Sequence, residues 1–200
     1  MTADVVGIMQ DVVARVPRGL SISLTDAQGA ESVVESPRVG FLWGAPSYIK
    51  EQLDAYGKGT QASLGKLPLV ALFCPVREAR GLAGGYTEAR VNLLVACSTR
   101  REWMNGERLQ RSFVRVLRPI YRRLLEELEA DVRLEWGYGG ELPHTYSENY
   151  SYGRYGAYDE NAGKLSEPID AINITNLKLR INTKLSCRYE TNQTMRGSRA

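Results

Sequence analysis

Apolar residues recur along the chain with two spacings, one typical of helices and the other of strands. A period of about 3.6 residues runs through residues 3–16, 46–56 and 106–129, which predicts three amphipathic helices. The segments with strand character lie at residues 20–26, 31–36, 38–44, 67–76, 90–99, 132–138 and 170–181. This order predicts an α+β fold: a mixed or antiparallel β-sheet flanked by an N-terminal helix and one long amphipathic helix, with extended loops.

Several predicted elements end at residues with known capping or turn preferences. Thr2 is a candidate N-cap for the first helix, and Asn105 is one for the long helix. Residues 26–29 form a turn signal between the first two β-like segments, so we expect a projecting hairpin or loop there. Pro119 removes a backbone hydrogen bond to the Arg115 carbonyl in the middle of the long helix and should bend it.

Two central segments, residues 67–76 and 90–99, are almost continuously apolar. Such runs are typical of strands that are covered on both faces of a sheet. The glycine-rich segment at residues 80–88 lies between them and carries basic neighbours. It fits either a tolerant crossover or hairpin tip, or a loop that orders on assembly.

The last strand-like segment, residues 170–181, changes the phase of its alternation. Apolar positions fall at even numbers up to Ile174 and at odd numbers from Leu177 onward. A slip of one residue would expose half of these side chains to water. A β-bulge near Thr175 and Asn176 is therefore the economical explanation.

The chain reads as one domain over residues 1–181, with a tyrosine- and glycine-rich insertion at about 139–168 and a basic C-terminal arm at 182–200. An insertion of this length is either functional or a surface loop without a fixed role. Tyrosine contributes a large contact area and a polar tip, so we favour contact with protein over base stacking. The insertion's tyrosines are Tyr146, Tyr150, Tyr152, Tyr155 and Tyr158.

A stripe of arginines accompanies the long helix. At a spacing of three and four residues, it is predicted to lie opposite the apolar face; its members are Arg108, Arg111, Arg115, Arg118 and Arg122. A solvated helix face explains any single one of them. Five in register favour a planar, bidentate partner, either carboxylates of a neighbouring subunit or phosphates.

Charge and cysteine content narrow the class of protein. The net charge is +3, and residues 184–200 alone account for it, so the body is neutral and unlike a protein that coats nucleic acid. Cys74, Cys97 and Cys187 form no disulfide or zinc pattern, which favours a reducing cytoplasm. The sequence has no apolar run near 20 residues and no signal-peptide pattern, so we expect no membrane contact.

The sequence carries little catalytic chemistry. His144 is the only histidine, and neither a GxSxG elbow nor a GK[ST] phosphate loop is present. We therefore expect a protein that is not an enzyme and uses no cofactor or metal. A metal-dependent enzyme assembled from scattered acids ranks last among the alternatives.

Three segments in their order carry a resemblance to a known family: KLPLVALF, ERLQRSFVRVLRPIYRRLLEELE and EPIDAINITNLKLRI. With them the chain resembles the tail-terminator, or tail-completion, proteins of tailed bacteriophages. The resemblance covers residues 1–181 as a pattern and is clearest at 64–125 and 168–181. The long tyrosine-rich insertion and the basic arm depart from the family pattern.

The resemblance implies a structural virion protein at the tail–neck junction, assembled in the host cytoplasm. Such a protein forms a ring, usually a hexamer, that caps the tail tube and joins it to the neck, while DNA passes through the channel without sequence-specific binding. The implied partners are further copies of the chain, the tail tube protein and a neck or connector protein. A head–tail connector is the alternative in the same class, and a nucleic-acid-binding accessory protein is the alternative from another class.

Overall fold

A computed structural model of the chain describes residues 4–25, 29–58, 67–82, 85–135, 142–152 and 169–182. Its helices are α1 (Val5–Arg15), α2 (Pro46–Lys58) and α3, a helix of 25 residues with the consecutive segments Asn105–Arg108, Leu109–Leu117 and Arg118–Glu129. Its strands are β1 (Ser21–Thr25), β2 (Glu31–Glu35), β3 (Gly40–Gly44), β4 (Leu69–Leu82), β5 (Tyr86–Ser98), β6 (Leu134–Glu135), β7 (Thr145–Tyr152) and β8 (Ile169–Asn182). The predicted α+β class is confirmed.

Six of these strands form one sheet in the order β3-β4-β5-β8-β6, and β7 also pairs with β8. Strands β3 and β4 run parallel, and every other pair is antiparallel. The far edge of β8 is shared, because β7 pairs with its first half and β6 with its end. The first two strands form a separate antiparallel hairpin, as the turn signal predicts.

The sheet separates two apolar clusters of unequal size. The larger cluster lies between the sheet, α1, α3 and the β1–β2 hairpin, and Phe113 is its largest fully buried side chain. The smaller cluster places Ile49 and Leu53 of α2 against the opposite face of β4, β5 and β8. The apolar parts of β4 and β5 contribute alternate residues to the two clusters, so they are covered on both faces as predicted.

The phase change in β8 is a β-bulge at the predicted place. Strand β5 pairs Val91 with Leu177 and Leu93 with Ile174, which leaves two residues of β8 opposite the single Asn92. Asn176 has a left-handed φ of 58°, and its N–H donates to Asn92 Oδ1 at 2.9 Å. The bulge keeps the apolar side chains on both sides of it in the larger cluster.

Helix α3 buries the predicted apolar stripe and accommodates Pro119 through a change in hydrogen bonding. The segment Leu109–Leu117 is a π-helix, in which the Arg118 N–H donates to the Phe113 carbonyl five residues earlier. Pro119 then lies in the first turn of the following α-helical segment, where a missing N–H costs little. The helix continues to Glu129.

Both predicted N-caps are replaced by other residues. In α1 the side chain of Asp4 accepts from the Gly7 N–H at 2.7 Å, while Thr2 lies outside the described residues. In α3 Asn105 is already helical, and the Glu107 carboxylate accepts from the Met104 N–H at 3.0 Å. Glu107, the acid three residues after the N-cap Met104, forms half of a capping box and is the sequence feature that indicates where α3 begins.

The prediction of a loop over residues 139–168 is wrong for its first part, because Thr145–Tyr152 form strand β7. Tyr146 pairs with Ile174 and Glu148 with Ile172, and both isoleucines belong to the larger cluster. The side chains of Tyr146, Glu148 and Tyr150 therefore face α3. The rest of the insertion, residues 153–168, and the arm at 183–200 lie outside the described residues.

Candidate subunit interface

Strand β7 and helix α3 form a polar surface in which two predicted sets of residues meet. The Arg118 guanidinium donates to both oxygens of the Glu148 carboxylate, from Nε at 2.7 Å and from Nη2 at 3.1 Å. The Tyr146 hydroxyl donates to the same carboxylate. Arg118 thus has a bidentate carboxylate partner within its own chain, whereas the prediction for the stripe was carboxylates of a neighbouring subunit or phosphates.

These contacts shift the protonation of all three groups. The hydrogen bonds from Arg118 lower the pKa of Glu148, and the carboxylate in turn raises the pKa of Arg118. Burial, followed by the hydrogen bond to Glu148, raises the pKa of Tyr146. The cluster therefore holds a fixed charge distribution at neutral pH.

Tyr121 of α3 ties the start of β7 to the helix. Its hydroxyl lies 2.7 Å from Nε2 of His144, whose Nδ1 lies 2.6 Å from the Leu142 carbonyl oxygen. A neutral imidazole satisfies both contacts when Nδ1 carries the proton and Nε2 accepts from Tyr121. The Tyr121 ring also meets the Tyr146 ring edge-on, with centroids 4.9 Å apart, so Tyr121 contacts both His144 and β7.

The predicted tyrosines divide into separate roles. Tyr146 remains 39% exposed on the edge strand β7. Tyr150 packs against Phe113 with ring centroids 4.4 Å apart and extends the larger cluster. Tyr152 ends β7, and Tyr155 and Tyr158 lie outside the described residues.

The arginine stripe does not form one exposed row. Arg108 is only 4% exposed, and its guanidinium donates to Asp170 at 3.1 Å and to the Trp103 and Arg100 carbonyls. Its predicted place opposite the apolar face is therefore wrong, because its position turns towards β8. Asp170 is fully buried and needs a cation beside it.

The remaining members of the stripe differ in their surroundings. Arg111 lies 3.5 Å from Glu107 and 5.0 Å from the Trp103 ring centroid. Arg115 pairs with Glu31 of the hairpin. Arg122 is exposed, and its Nε lies 3.4 Å from the Arg118 carbonyl oxygen. Contact with a neighbouring subunit stays a prediction for these residues and for Tyr146.

A second ion network joins α1, the end of α3 and the start of β6, and the sequence did not indicate it. Asp131 accepts from Arg15 Nη2 and from Arg133 Nη2, both at 2.7 Å. Arg133 also donates to Asp11 at 2.7 Å, and Arg15 to Glu127 at 2.8 Å. Arg133 and Asp131 are near neighbours in the sequence, but the other three pairs join residues more than a hundred positions apart, which no local spacing reveals.

The described residues contain neither a metal-binding group nor a membrane-spanning helix. Within the described ranges, no group of three His, Cys, Asp or Glu side chains is placed to hold a metal ion. None of the helices in the same ranges is long and apolar enough to cross a membrane. No protein-family model matches the chain, and no curated protein matches it.

Proposed function

We propose that this chain is a structural virion protein that forms an oligomeric ring, a hexamer by the family resemblance, at the end of a bacteriophage tail. In this proposal the ring caps the tail tube at the tail–neck junction and offers its other side to the neck, with DNA passing through without sequence-specific contacts. The activity is assembly, so the functional residues are those that meet other copies or neighbouring rings.

The observation that supports the proposal best is the pair of unlike edges of the sheet. Among the described strands, β3 pairs only with β4 and β7 only with β8, so each has one edge without a partner. Trp43 of β3 is 52% exposed, and Tyr48 of α2, whose ring lies against Gly44 at the end of β3, is 45% exposed. Tyr146 is exposed on β7 at the opposite side.

Such an arrangement suits a ring because head-to-tail contacts join two different surfaces of neighbouring copies. Unpaired strand edges and exposed aromatic side chains are the features that favour association between copies. In an isolated monomer both edges would remain open to pairing with strands of other molecules. The alternative as a nucleic-acid-binding protein is less favoured, since Arg115 and Arg118 of its proposed surface pair with carboxylates in the same chain.

The proposal is tested by light scattering of the purified chain, alone and mixed with tail tube protein or with a neck protein. Trp43→Lys combined with Tyr48→Lys should abolish the assembled species and leave the circular-dichroism spectrum unchanged. Val132→Lys, at another exposed apolar residue outside both edges, is the matched control. A chain that remains monomeric alone and with both partners would contradict the proposal, and a preference for the neck protein alone would favour the connector.

A further inference from the structure

An open groove lies on the same face of the sheet as α2, over the C-terminal parts of β4 and β8 and the N-terminal part of β5. Its volume is about 1170 Å³, and its walls include Pro46, Phe73, Pro75 and Pro143. Its floor is formed by side chains of β4, β5 and β8 that lie beyond the bulge at Asn176 and point to this face.

Three cations lie directly opposite one another across the floor of this groove. Arg77 of β4 pairs in register with Arg90 of β5, which pairs in register with Lys178 of β8. All three side chains are exposed, and no carboxylate in the described part of the chain forms an ion pair with them. We call this set the cation row.

The cation row departs from the pairing found beside it on the same face. The neighbouring row places Glu88 opposite Arg180, and Arg180 opposite Glu135, so that charges alternate across the strands. Like charges directly opposite one another destabilise a sheet. The row therefore lowers the stability of the isolated chain, and an anion bound over it would remove that cost.

Irregular backbone precedes the row in two of its three strands. The β4–β5 register shifts between Phe73 and Arg77, and the β8 bulge comes just before Lys178. Bulges of this kind commonly re-aim side chains next to binding sites. Here the irregularities bring Arg77, Arg90 and Lys178 into register across the three strands.

The chemistry of the groove selects between kinds of anion. Glu78, Glu88 and Glu135 also line it, so the groove is not uniformly basic. A nucleic acid carries a negative charge at every unit and would meet these acids, whereas a peptide can place neutral residues beside them. Neighbouring strands lie about 4.8 Å apart, so the row spans about 10 Å, while alternate residues of an extended peptide lie about 7 Å apart. A peptide that crosses the strands can place two carboxylates on the row and apolar residues against the proline-lined walls.

We propose that the groove binds an extended acidic segment of a partner protein, with its carboxylates on Arg77, Arg90 and Lys178. This proposal goes beyond the ring assignment and does not depend on it. Cross-strand electrostatics supply both the affinity and the preference for alternating acidic residues.

The test uses the full chain and calorimetric titration at low salt, where exposed charges are least screened. The probe is the peptide Ac-EAEPEA-NH2, and its matched control replaces each glutamate with glutamine. We expect the acidic peptide to bind with a Kd below about 1 mM. Arg90→Gln with Lys178→Gln should weaken this binding at least about tenfold, while Arg122→Gln, an exposed arginine on α3, should leave it unchanged.

Thermal unfolding of the same variants separates binding from folding. Because Arg90→Gln with Lys178→Gln relieves like-charge repulsion, its Tm should equal or exceed that of the unaltered chain. A lower Tm, no binding of the acidic peptide, or binding that survives the double substitution would overturn the proposal. Tighter or equal binding of an oligothymidylate or of inorganic phosphate would also overturn it, by assigning the row to phosphates.

Discussion

Asp131 offers the sharpest test of how this fold is held together. Its side chain is 3% exposed, and its carboxylate accepts from Arg15 Nη2 at 2.7 Å and from Arg133 Nη2, Nε and N at 2.7, 2.9 and 3.0 Å. Burial alone would raise the pKa of this carboxyl, but the hydrogen bonds from Arg133 and Arg15 outweigh burial and lower the pKa to about 2. The ionised form is therefore the one that the fold stabilises.

The size of the effect follows from the shift of the pKa. A fall from the ordinary value of 3.8 to about 2 corresponds to at most about 2–3 kcal/mol, and to about 1–2 kcal/mol after solvent screening is allowed for. Asp131→Asn removes this contribution and leaves two guanidinium groups with weaker partners. Because Arg15 keeps Glu127 and Arg133 keeps Asp11, we expect a total loss of about 2–3 kcal/mol in the free energy of unfolding.

The pH dependence has a definite sign. The folded pKa lies below the unfolded one, so the contribution is fully present above about pH 4 and is lost as the pH falls towards 2. Urea unfolding followed by circular dichroism at pH 6 and at pH 2 measures it. The difference between the unaltered chain and Asp131→Asn should shrink by about 1–2 kcal/mol over that interval.

Glu51→Gln is the matched control, because Glu51 is an exposed acid on α2 without an ion pair in the described part of the chain. It should change the free energy of unfolding by less than about 0.5 kcal/mol at pH 6. The reasoning would be refuted if Asp131→Asn behaved like this control. A stability difference that stayed constant from pH 6 to pH 2 would refute the electrostatic part of it.

Three further experiments test other parts of the structure. Phe113→Ala should cost about 3–5 kcal/mol in urea unfolding, because the ring is fully buried and packs against Tyr150; a cost near 1 kcal/mol would contradict that packing. Asn176→Val should cost about 1–3 kcal/mol and Asn176→Gly less than about 1 kcal/mol, since the bulge needs a left-handed backbone; equal effects would argue against the bulge. Cys97 should resist alkylation in the native chain while Cys74 reacts, as mapped by mass spectrometry, because burial, followed by the charge of Asp170, raises the pKa of the Cys97 thiol.

The parts of the fold that could be predicted from the sequence are those in which buried and exposed positions alternate regularly along the chain. The apolar period of α3 continues through the π-helical segment, and the change of phase at Ile174 and Leu177 located the bulge to the residue. In both cases a buried face imposes its spacing directly on the residues that form it. Spacing therefore predicts an element well when one of its faces packs against the core along its whole length.

The parts that the sequence did not predict depend on single partners far along the chain. Strand β7 lacks the apolar alternation of a core strand, and pairing with β8 makes it a strand. Arg108 has the spacing of an exposed residue, but Asp170 draws it into the interior. For Arg118 we expected a partner outside the chain, either a carboxylate of a neighbouring subunit or a phosphate, but Glu148 supplies a carboxylate within the chain. Tertiary contacts of this kind leave no periodic signal.

The position of β8 between β5 on one side and β6 and β7 on the other has a consequence for how the chain opens. The backbone at Ala171–Ile174 can reach solvent only when pairings with both β5 and β7 separate, and side chains from these residues lie in both apolar clusters. Local fraying at either edge of the sheet leaves this segment protected. Its amides should therefore be among the last to exchange with deuterium, at the rate of global unfolding.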